Sequence, residues 1–237
     1  RERELSDMKS RFVAVASHEF RTPLAAILSS VELLDDYGPR LPEEERREIL
    51  GLIKNAVTRM NGMIDQVLVT SKLESGRFVF TPATESVPRV LAQLTAELEQ
   101  ARGQAGRIAL RCEGLEAPRL LDAQLLRHIF TNLLSNALKY SPPGAPVQCH
   151  AWAEGPQVHL RVQDQGIGIP EADLPNLFQT IHRGTNVGNI QGTSIGLHIV
   201  KECVDLHQGG IEVDSQPGQG TAFHVRLHAP VPAGPAE

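Results

Sequence analysis

Ser17-His18-Glu19-Phe20-Arg21-Thr22-Pro23 sits inside a long helical pattern, and the apolar residues on either side of it decide the architecture. Upstream, Leu5, Met8, Phe12 and Val15 recur at three- and four-residue steps. Downstream, Phe20, Leu24, Ile27, Val31 and Leu34 do the same. Such spacing predicts one helix over residues 1–36. The two stripes differ in phase by roughly 100°, one residue's turn of an α-helix. The shift falls at His18, and Pro23 supplies a local reason for a bend. On the same wheel His18 lies roughly 100° from the centre of the first stripe and roughly 160° from that of the second. It is expected to face solvent or a visiting partner. A histidine followed by an acid, a base and a hydroxyl is a candidate for chemistry rather than for quiet helix surface.

Working outward, Tyr37-Gly38-Pro39-Arg40-Leu41-Pro42 reads as a turn. Glu43, Glu44 and Glu45 place acids where the positive end of a helix dipole favours them. Ile49, Ile53, Ala56, Met60, Met63 and Val67 then carry a second helix. Two long helices with a short connection form an antiparallel hairpin. One hairpin cannot bury both stripes, so the expected state is a homodimer closed as a four-helix bundle. The hairpin is expected over residues 1–74, a linker over 75–77, a second domain over 78–229 and a disordered tail over 230–237.

In the second domain the period changes. Phe78 and Phe80 alternate before Pro82, and Val87 to Ala101 reads as a helix. Ile108 to Cys112 is strand-like. Asp122 is placed to cap a helix reaching about Tyr140. Val147, Cys149 and Ala151 mark one strand, and Val158, Leu160 and Val162 another. A helix from about Ile195 to His207 is expected to end at Gly209-Gly210. Ile211 to Asp214 and Ala222 to His228 suggest a final hairpin. The fold class is therefore multidomain, α and α+β: a long helical hairpin, then an α/β sandwich with helices on one face of a mixed sheet.

Composition narrows the function. The 237 residues are 41% hydrophobic and 22% charged, with a net charge of −5. That balance gives no general affinity for nucleic acid or an anionic membrane. The three cysteines, Cys112, Cys149 and Cys203, form no disulfide or zinc spacing. A reducing, cytoplasmic setting is expected. No apolar run of about 18 residues is present. The chain opens on Arg1 rather than methionine, as a piece of a longer protein would. His150, His159, His224 and His228 fall on outward strand faces, and are expected to be solvated rather than metal-bound.

Three stretches carry candidate ligand chemistry. His128, Asn132, Asn136 and Tyr140 recur every four residues beside the apolar face of their helix, with Lys139 adjacent. Neutral amide oxygens suit Mg²⁺ and its waters, and Lys139 can neutralise phosphate; two surface asparagines would give the same pattern. Asp164-Gln165-Gly166-Ile167-Gly168 follows a strand, where a carboxylate can accept from an exocyclic amine and glycines admit a flat ligand. An ordinary tight turn would also fit. Gly192-Thr193-Ser194-Ile195-Gly196-Leu197 leads a glycine-rich segment into a helix N-terminus, whose free N–H groups bind phosphate. It is neither a Walker A loop nor a dinucleotide fingerprint.

The order of these elements is more specific than any one of them. His-Glu-Phe-Arg-Thr-Pro, the Asn132–Tyr140 segment, Asp164-x-Gly-x-Gly, Phe178, Gly192–Leu197 and Gly218-x-Gly220-Thr221 together resemble the sensor histidine kinases of two-component signalling. The resemblance covers essentially residues 3–228. It implies a dimerisation and phosphotransfer hairpin followed by a GHKL-type ATP-binding domain. His18 would then be the phosphoacceptor, Glu19 the base that helps activate it, and Thr22 the group that orients water or the partner aspartyl phosphate in a reverse phosphatase reaction. Asn136 would ligate Mg²⁺, with Asn132 and Lys139 near the phosphates of ATP and Tyr140 by the nucleoside. Asp164 would read the adenine amine, Gly166 and Gly168 would shape that wall, and Thr221 would lie beneath the base. Gly192, Thr193, Gly196 and Leu197 would flank the phosphates. The implied partners are a second copy, the receiver domain of a separate response regulator, and an upstream sensor domain.

The sequence departs from the family pattern at three places. Ile181 and His182 replace an aromatic and a tyrosine before Arg183. Ser194 replaces the middle glycine of Gly-Thr-Gly-x-Gly-Leu, where it could cap the following helix or stiffen a loop that must open and close. The second possibility implies a phosphatase-dominant or kinase-impaired variant.

Overall fold

The computed structural model describes residues 2–74, 79–179, 186 and 195–232, and on the first helix the side chains of Ser17 and of Phe20 onward. The expected linker and the end of the tail lie outside the described residues. The chain divides into two compact units, Arg1–Ser75 and Gly76–Glu237.

The first unit is a helical hairpin. Helix α1, Glu2–Tyr37, runs through Pro23. A 3₁₀ turn at Gly38–Arg40 leads to α2, Glu43–Glu74. The acids of the α2 first turn also hold cations: Arg46 pairs with Glu43, and Arg47 reaches the same carboxylate at 3.5 Å. The seam between the helices is narrower than the apolar stripes. Ile49, Ala56 and Met63, spaced by sevens, are buried on α2, and Pro23 and Ser30 on α1. Leu24, Leu28 and Val31 remain 51%, 59% and 48% exposed, as do Leu50, Val57 and Ile64 on α2 at about 44% each. The expected α1 stripe is thus split. Ile27 and Leu34 turn towards α2, while Leu24 and Val31 stay on an open apolar face, because a two-helix seam covers only one side of each stripe.

In the second unit, α3 (Val87–Arg102), α4 (Ala123–Tyr140) and α5 (Gly196–Leu206) pack on one face of a five-stranded sheet. The strands are β2 (Ile108–Glu113), β4 (Val147–Glu154), β5 (Gln157–Gln163), β6 (Gly210–Gln216) and β7 (Gly220–His228). Their order is β2-β4-β5-β7-β6, parallel only at β2–β4. Leu125, Leu126, Ile129, Phe130, Leu133 and Leu134 on α4 meet the inward strand residues Val147, Val158, Leu160, Val225 and Leu227, all essentially dry. Each such side chain contributes about 1.5–3 kcal/mol.

Three expectations need correction. Of the alternation at Phe78 and Phe80, Phe78 lies outside the described residues and Phe80 is in no strand: the strand is β1, Ala83–Glu85, after Pro82, and it pairs with β3, Arg119–Leu121, in a separate small sheet. Phe80 instead lies edge-on to His207 at 5.1 Å. The left-handed residue after α5 is Gln208, with φ of 51°, not a glycine. Gly209 is required for close approach, since a Cβ there would stand 2.0 Å from the Arg226 carbonyl oxygen. His159 is not solvated: it is 5% exposed and lies in a stack of rings with Trp152 and His224, at 5.0 and 5.2 Å. Flat side chains on neighbouring strands gain more from covering one another than from hydration.

A polar knot fixes the start of α4. Asp122 caps it, accepting from Gln124 N at 2.9 Å and Leu125 N at 3.1 Å, while its other oxygen accepts from Thr81 N and Oγ1 at 2.9 and 3.0 Å. The Asp122 N–H donates to Nε2 of buried His207 at 3.3 Å, and His207 Nδ1 donates to the Cys203 carbonyl at 3.0 Å. That arrangement requires the neutral ring. Burial pushes the His207 pKa down, against smaller opposing effects of the Cys203 carbonyl and Asp122. A neutral form favoured in the fold stabilises fully above the unfolded histidine pKa of about 6.5, and that stabilisation is lost as pH falls through it. Urea unfolding of the chain at a series of pH values is expected to show stability of the second unit declining from pH about 7.5 to about 5.5. His207→Leu should flatten that slope whatever it does to the midpoint.

Candidate active site

Helix α4 presents half-buried Asn132, Asn136, Lys139 and Tyr140 beside its core face, because residues four apart share one side of a helix. Asn132 Nδ2 donates to the His128 carbonyl at 2.8 Å. Its Oδ1 then meets the first turn of α5, where a Cβ on Gly196 would stand 2.7 Å from that oxygen. Lys139 Nζ lies 2.8 Å from the Tyr140 hydroxyl and 4.2 Å above its ring.

Asp164, at the end of β5, is 7% exposed. Its Oδ1 accepts from Gly166 N at 2.7 Å and Thr221 N at 3.2 Å. Burial pushes the carboxyl pKa up, and those two N–H groups oppose the shift. No hydrogen bond among the described residues engages Oδ2, which leaves it as an acceptor for a ligand. The surrounding backbones approach too closely for side chains. A Cβ on Gly166 would stand 2.6 Å from the Tyr140 carbonyl oxygen, and one on Gly168, whose φ is +67°, 1.9 Å from that of Gln216. Gly168 and Gly166 thus press the 164–168 turn onto both the end of α4 and the β6–β7 turn.

Two participants carried no signal of their own in the sequence. Ser215 Oγ accepts from Ile169 N at 2.9 Å, donates to the Gly220 carbonyl at 2.9 Å and lies 2.9 Å from Thr221 Oγ1. Only a polar residue interrupting a strand pattern marked it. Asn186 Nδ2 donates to the Gly168 carbonyl at 2.9 Å. Phe178 packs edge-on against Phe223 at 6.5 Å.

Tyr140, Gly166, Asp164 and Thr221 are thus linked through direct contacts, Gly168 ties the same turn to Gln216, and Asn132 meets Gly196 two turns back along α4, with Asn136 and Lys139 between. Leu197 is the half-buried second residue of α5. Gly192, Thr193 and Ser194 lie outside the described residues, as do Ile181, His182 and Arg183. The N-cap of α5 is Ile195, without a side-chain cap, so the helix starts one residue later than a Ser194 cap requires. In the first unit Thr22 is exposed, one turn along α1 from position 18. The side chains of His18 and Glu19 lie outside the described residues.

Two family models match this chain in succession: the His Kinase A (phospho-acceptor) domain over residues 8–76, and the histidine kinase-, DNA gyrase B- and HSP90-like ATPase over residues 121–231. The chain belongs to the sensor histidine kinases. The circadian input-output histidine kinase CikA of Synechococcus elongatus is 34% identical over 92% of this chain and 29% of its own length. Full-length ShkA in complex with AMPPNP is similar at 26% identity and a TM-score of 0.64, over 96% of this chain and 47% of that one. The histidine kinase ThkA, solved in complex with the response regulator protein TrrA, shares the fold at 18% identity and a TM-score of 0.72, over 96% of this chain and 64% of that one. The chain spans between 24% and 53% of the length of the curated relatives considered. Among the described residues no helix of this kinase is long and apolar enough to cross a membrane.

The chain therefore carries an ATP-binding domain over residues 121–231, and Asp164 is its buried candidate for ligand recognition. Asp164→Asn keeps an oxygen for the Gly166 and Thr221 N–H groups but turns the free acceptor into a donor. Calorimetric titration with AMPPNP is expected to show affinity reduced about tenfold or more, with the melting temperature nearly unchanged. Gly168→Ala should lower both.

Proposed function

We propose that this chain is the catalytic core that phosphorylates its own His18 from ATP and passes the phosphoryl group to an aspartate of a separate response regulator. The observation that carries this reading is the Asp164 carboxylate, buried, anchored through one oxygen and open at the other. It suits the exocyclic amine of adenine, with Gly166, Gly168 and Thr221 completing that wall and Tyr140 by the nucleoside. Asn132, Lys139, Gly192, Thr193, Gly196 and Leu197 would surround the phosphates. A Gly196 Cβ would collide with Asn132, so the start of α5 can approach an anion that a side chain would hold off.

Asn136 offers a neutral amide oxygen of the kind Mg²⁺ prefers, and bound Mg²⁺ neutralises charge on the phosphate oxygens. A neutral imidazole at His18 forms the new N–P bond as the bond from the γ-phosphorus to the ADP oxygen breaks. Glu19 holds the ring tautomer and stabilises the positive charge that develops on it. Transfer to the receiver breaks the N–P bond and forms an acyl phosphate. Thr22, exposed and one turn from position 18, would orient a water against that acyl phosphate in the reverse reaction.

The kinase would work as a homodimer. Leu24, Leu28 and Val31 with Leu50, Val57 and Ile64 leave an apolar face on each hairpin, which a second copy covers as a four-helix bundle. The upstream sensor would act by rotating or bending these helices. The complex of ThkA with TrrA supports a receiver as the downstream partner.

A second reading rests on Ser194. If the loop opens and closes poorly without glycine, removal of phosphate from the receiver outweighs autophosphorylation. Incubation with radiolabelled ATP and Mg²⁺ tests both readings: wild type is expected to incorporate label, and His18→Ala none. Label persisting in His18→Ala would sink the first reading. Weak labelling that Ser194→Gly raises, with rapid dephosphorylation of a phosphorylated receiver, would select the second. Separately, Leu28→Glu combined with Ile64→Glu should convert a dimer to a monomer in sedimentation velocity, with helix content by circular dichroism largely kept.

A further inference from the structure

The sheet face turned away from the helices carries an ordered row of groups that the phosphotransfer reading does not use. Arg111 on β2, His150 on β4, Arg161 on β5 and His224 on β7 are register partners, side by side on four successive strands. Strand spacing puts the backbones of Arg111 and Arg161 about 9–10 Å apart. Between them lies a trough of about 450 Å³, lined by Arg111, Gln148, His150, Arg161 and Gln163 with Ala109 at its end. Its lining contains no carboxylate.

The walls are held in different ways. Arg111 pairs with Glu113, and His150 Nε2 lies 3.2 Å from the same carboxylate. The His150 ring also stacks on Trp152 at 4.8 Å, and Trp152 Nε1 donates to Glu154 at 2.9 Å, so the floor is braced from outside the trough. Gln148 and Gln163 face each other across β4 and β5 and add amide donors. Arg161 is different. It is exposed and, among the described residues, pairs with no carboxylate, whereas Arg226 on the same face is matched to Glu212 at 2.9 Å. The far wall of the trough thus ends in a guanidinium with no carboxylate in ion-pair range among the described residues, Glu212 and Asp214 lining an adjoining cavity on its other side, opposite a second guanidinium already oriented by Glu113.

We infer that this trough is an anion-binding site, separate from the nucleotide site, which takes the phosphate or carboxylate group of a small molecule between Arg111 and Arg161. Two planar guanidinium forks on opposite walls match the oxygens of either group, and side amides add neutral donors. The volume is that of a small-ligand pocket rather than of a protein-sized footprint.

The test uses the whole chain with its nucleotide site filled by AMPPNP, titrated with inorganic phosphate and, separately, with succinate while backbone amide NMR shifts are followed. Saturable shifts at residues 109–111, 148–150 and 161–163 are expected with at least one probe. Response to phosphate alone identifies a phosphorylated ligand class, and response to succinate alone a carboxylate class. Arg161→Gln and Arg111→Gln should each weaken binding about tenfold, and Arg226→Gln should leave it unchanged. No saturable shift with either probe up to about 10 mM would overturn the proposal, as would an equal loss in Arg226→Gln, which would mean diffuse surface charge. Melting curves identify any variant whose loss reflects unfolding, and Arg161→Lys, which keeps the charge without the fork, gives a second reading at the same position. Intermediate weakening by Arg161→Lys supports recognition by the guanidinium; binding by Arg161→Gln equal to wild type refutes it.

Discussion

One oxygen of one buried carboxylate ties the ATP-binding unit together. Oδ1 of Asp164 receives the N–H of Gly166 from the turn that follows it and the N–H of Thr221 from the start of β7. Burying a carboxylate is costly unless it is well hydrogen-bonded, so these contacts decide where the turn and the strand can lie. They in turn require backbones to touch. A Cβ on Gly220 would stand 2.1 Å from the Asp164 carbonyl oxygen, and Gly220 itself has a φ of 89°. The recognition wall is therefore a continuation of the sheet's own bonding, and its stiffness is that of β5 and β7. One carboxylate closes the fold through Oδ1 while its Oδ2 has no hydrogen bond among the described residues.

Helix α4 links that wall to the first turn of α5. Its dry face locks it to the sheet, and the Asp122–Thr81–His207 knot fixes its first turn. With start and face both set, the positions of Asn132, Asn136 and Tyr140 follow from helical geometry alone. The Tyr140 carbonyl limits Gly166, and the Asn132 amide limits Gly196. A single helix thus gauges both ends of the candidate site, which explains why its polar stripe carries asparagine, a poor helix former, where Glu or Lys would be usual on a surface.

What could be read in advance was what short-range periodicity governs. The helices at 1–36 and 122–140, the Asp122 cap and the strand alternation all follow from neighbours three, four or two residues away. What escaped depended on distant partners. Gln208 takes the left-handed turn because Gly209 is needed against Arg226, a constraint imposed by β7. Strand alternation places His159 on the outer face, but its burial needs Trp152 and His224 on neighbouring strands. β1 and β3 are three residues each and have no pattern of their own; they exist because they meet each other. Ser215 looked like one more polar strand residue until its partners on two other segments were in place. Of the candidate site, Asp164 and the asparagines stood out in advance because their chemistry is unusual for their element, and the structure adds the burial of Asp164. The Ser194 cap was a local reading that the start of α5 at Gly196 does not support.

The hairpin shows the same dependence at a larger scale. Its internal seam buries Pro23 and Ser30 while Leu24, Leu28 and Val31 stand about half exposed. A helix free to choose its facing by hydrophobicity alone would bury the leucines and the valine first. Fully covering side chains already half covered would add about 1 kcal/mol each. Six such positions on each chain, counting Leu50, Val57 and Ile64, make the outer face a larger reservoir of stabilisation than the exchange of Pro23 and Ser30 costs. The inner seam is the weaker of the two apolar surfaces. A second copy covering the outer one would therefore set the rotation of α1, and with it the face on which position 18 is carried. Modest changes at that interface would suffice to shift the population between two helix rotations if they differ by about a few kcal/mol, as two-state elements commonly do.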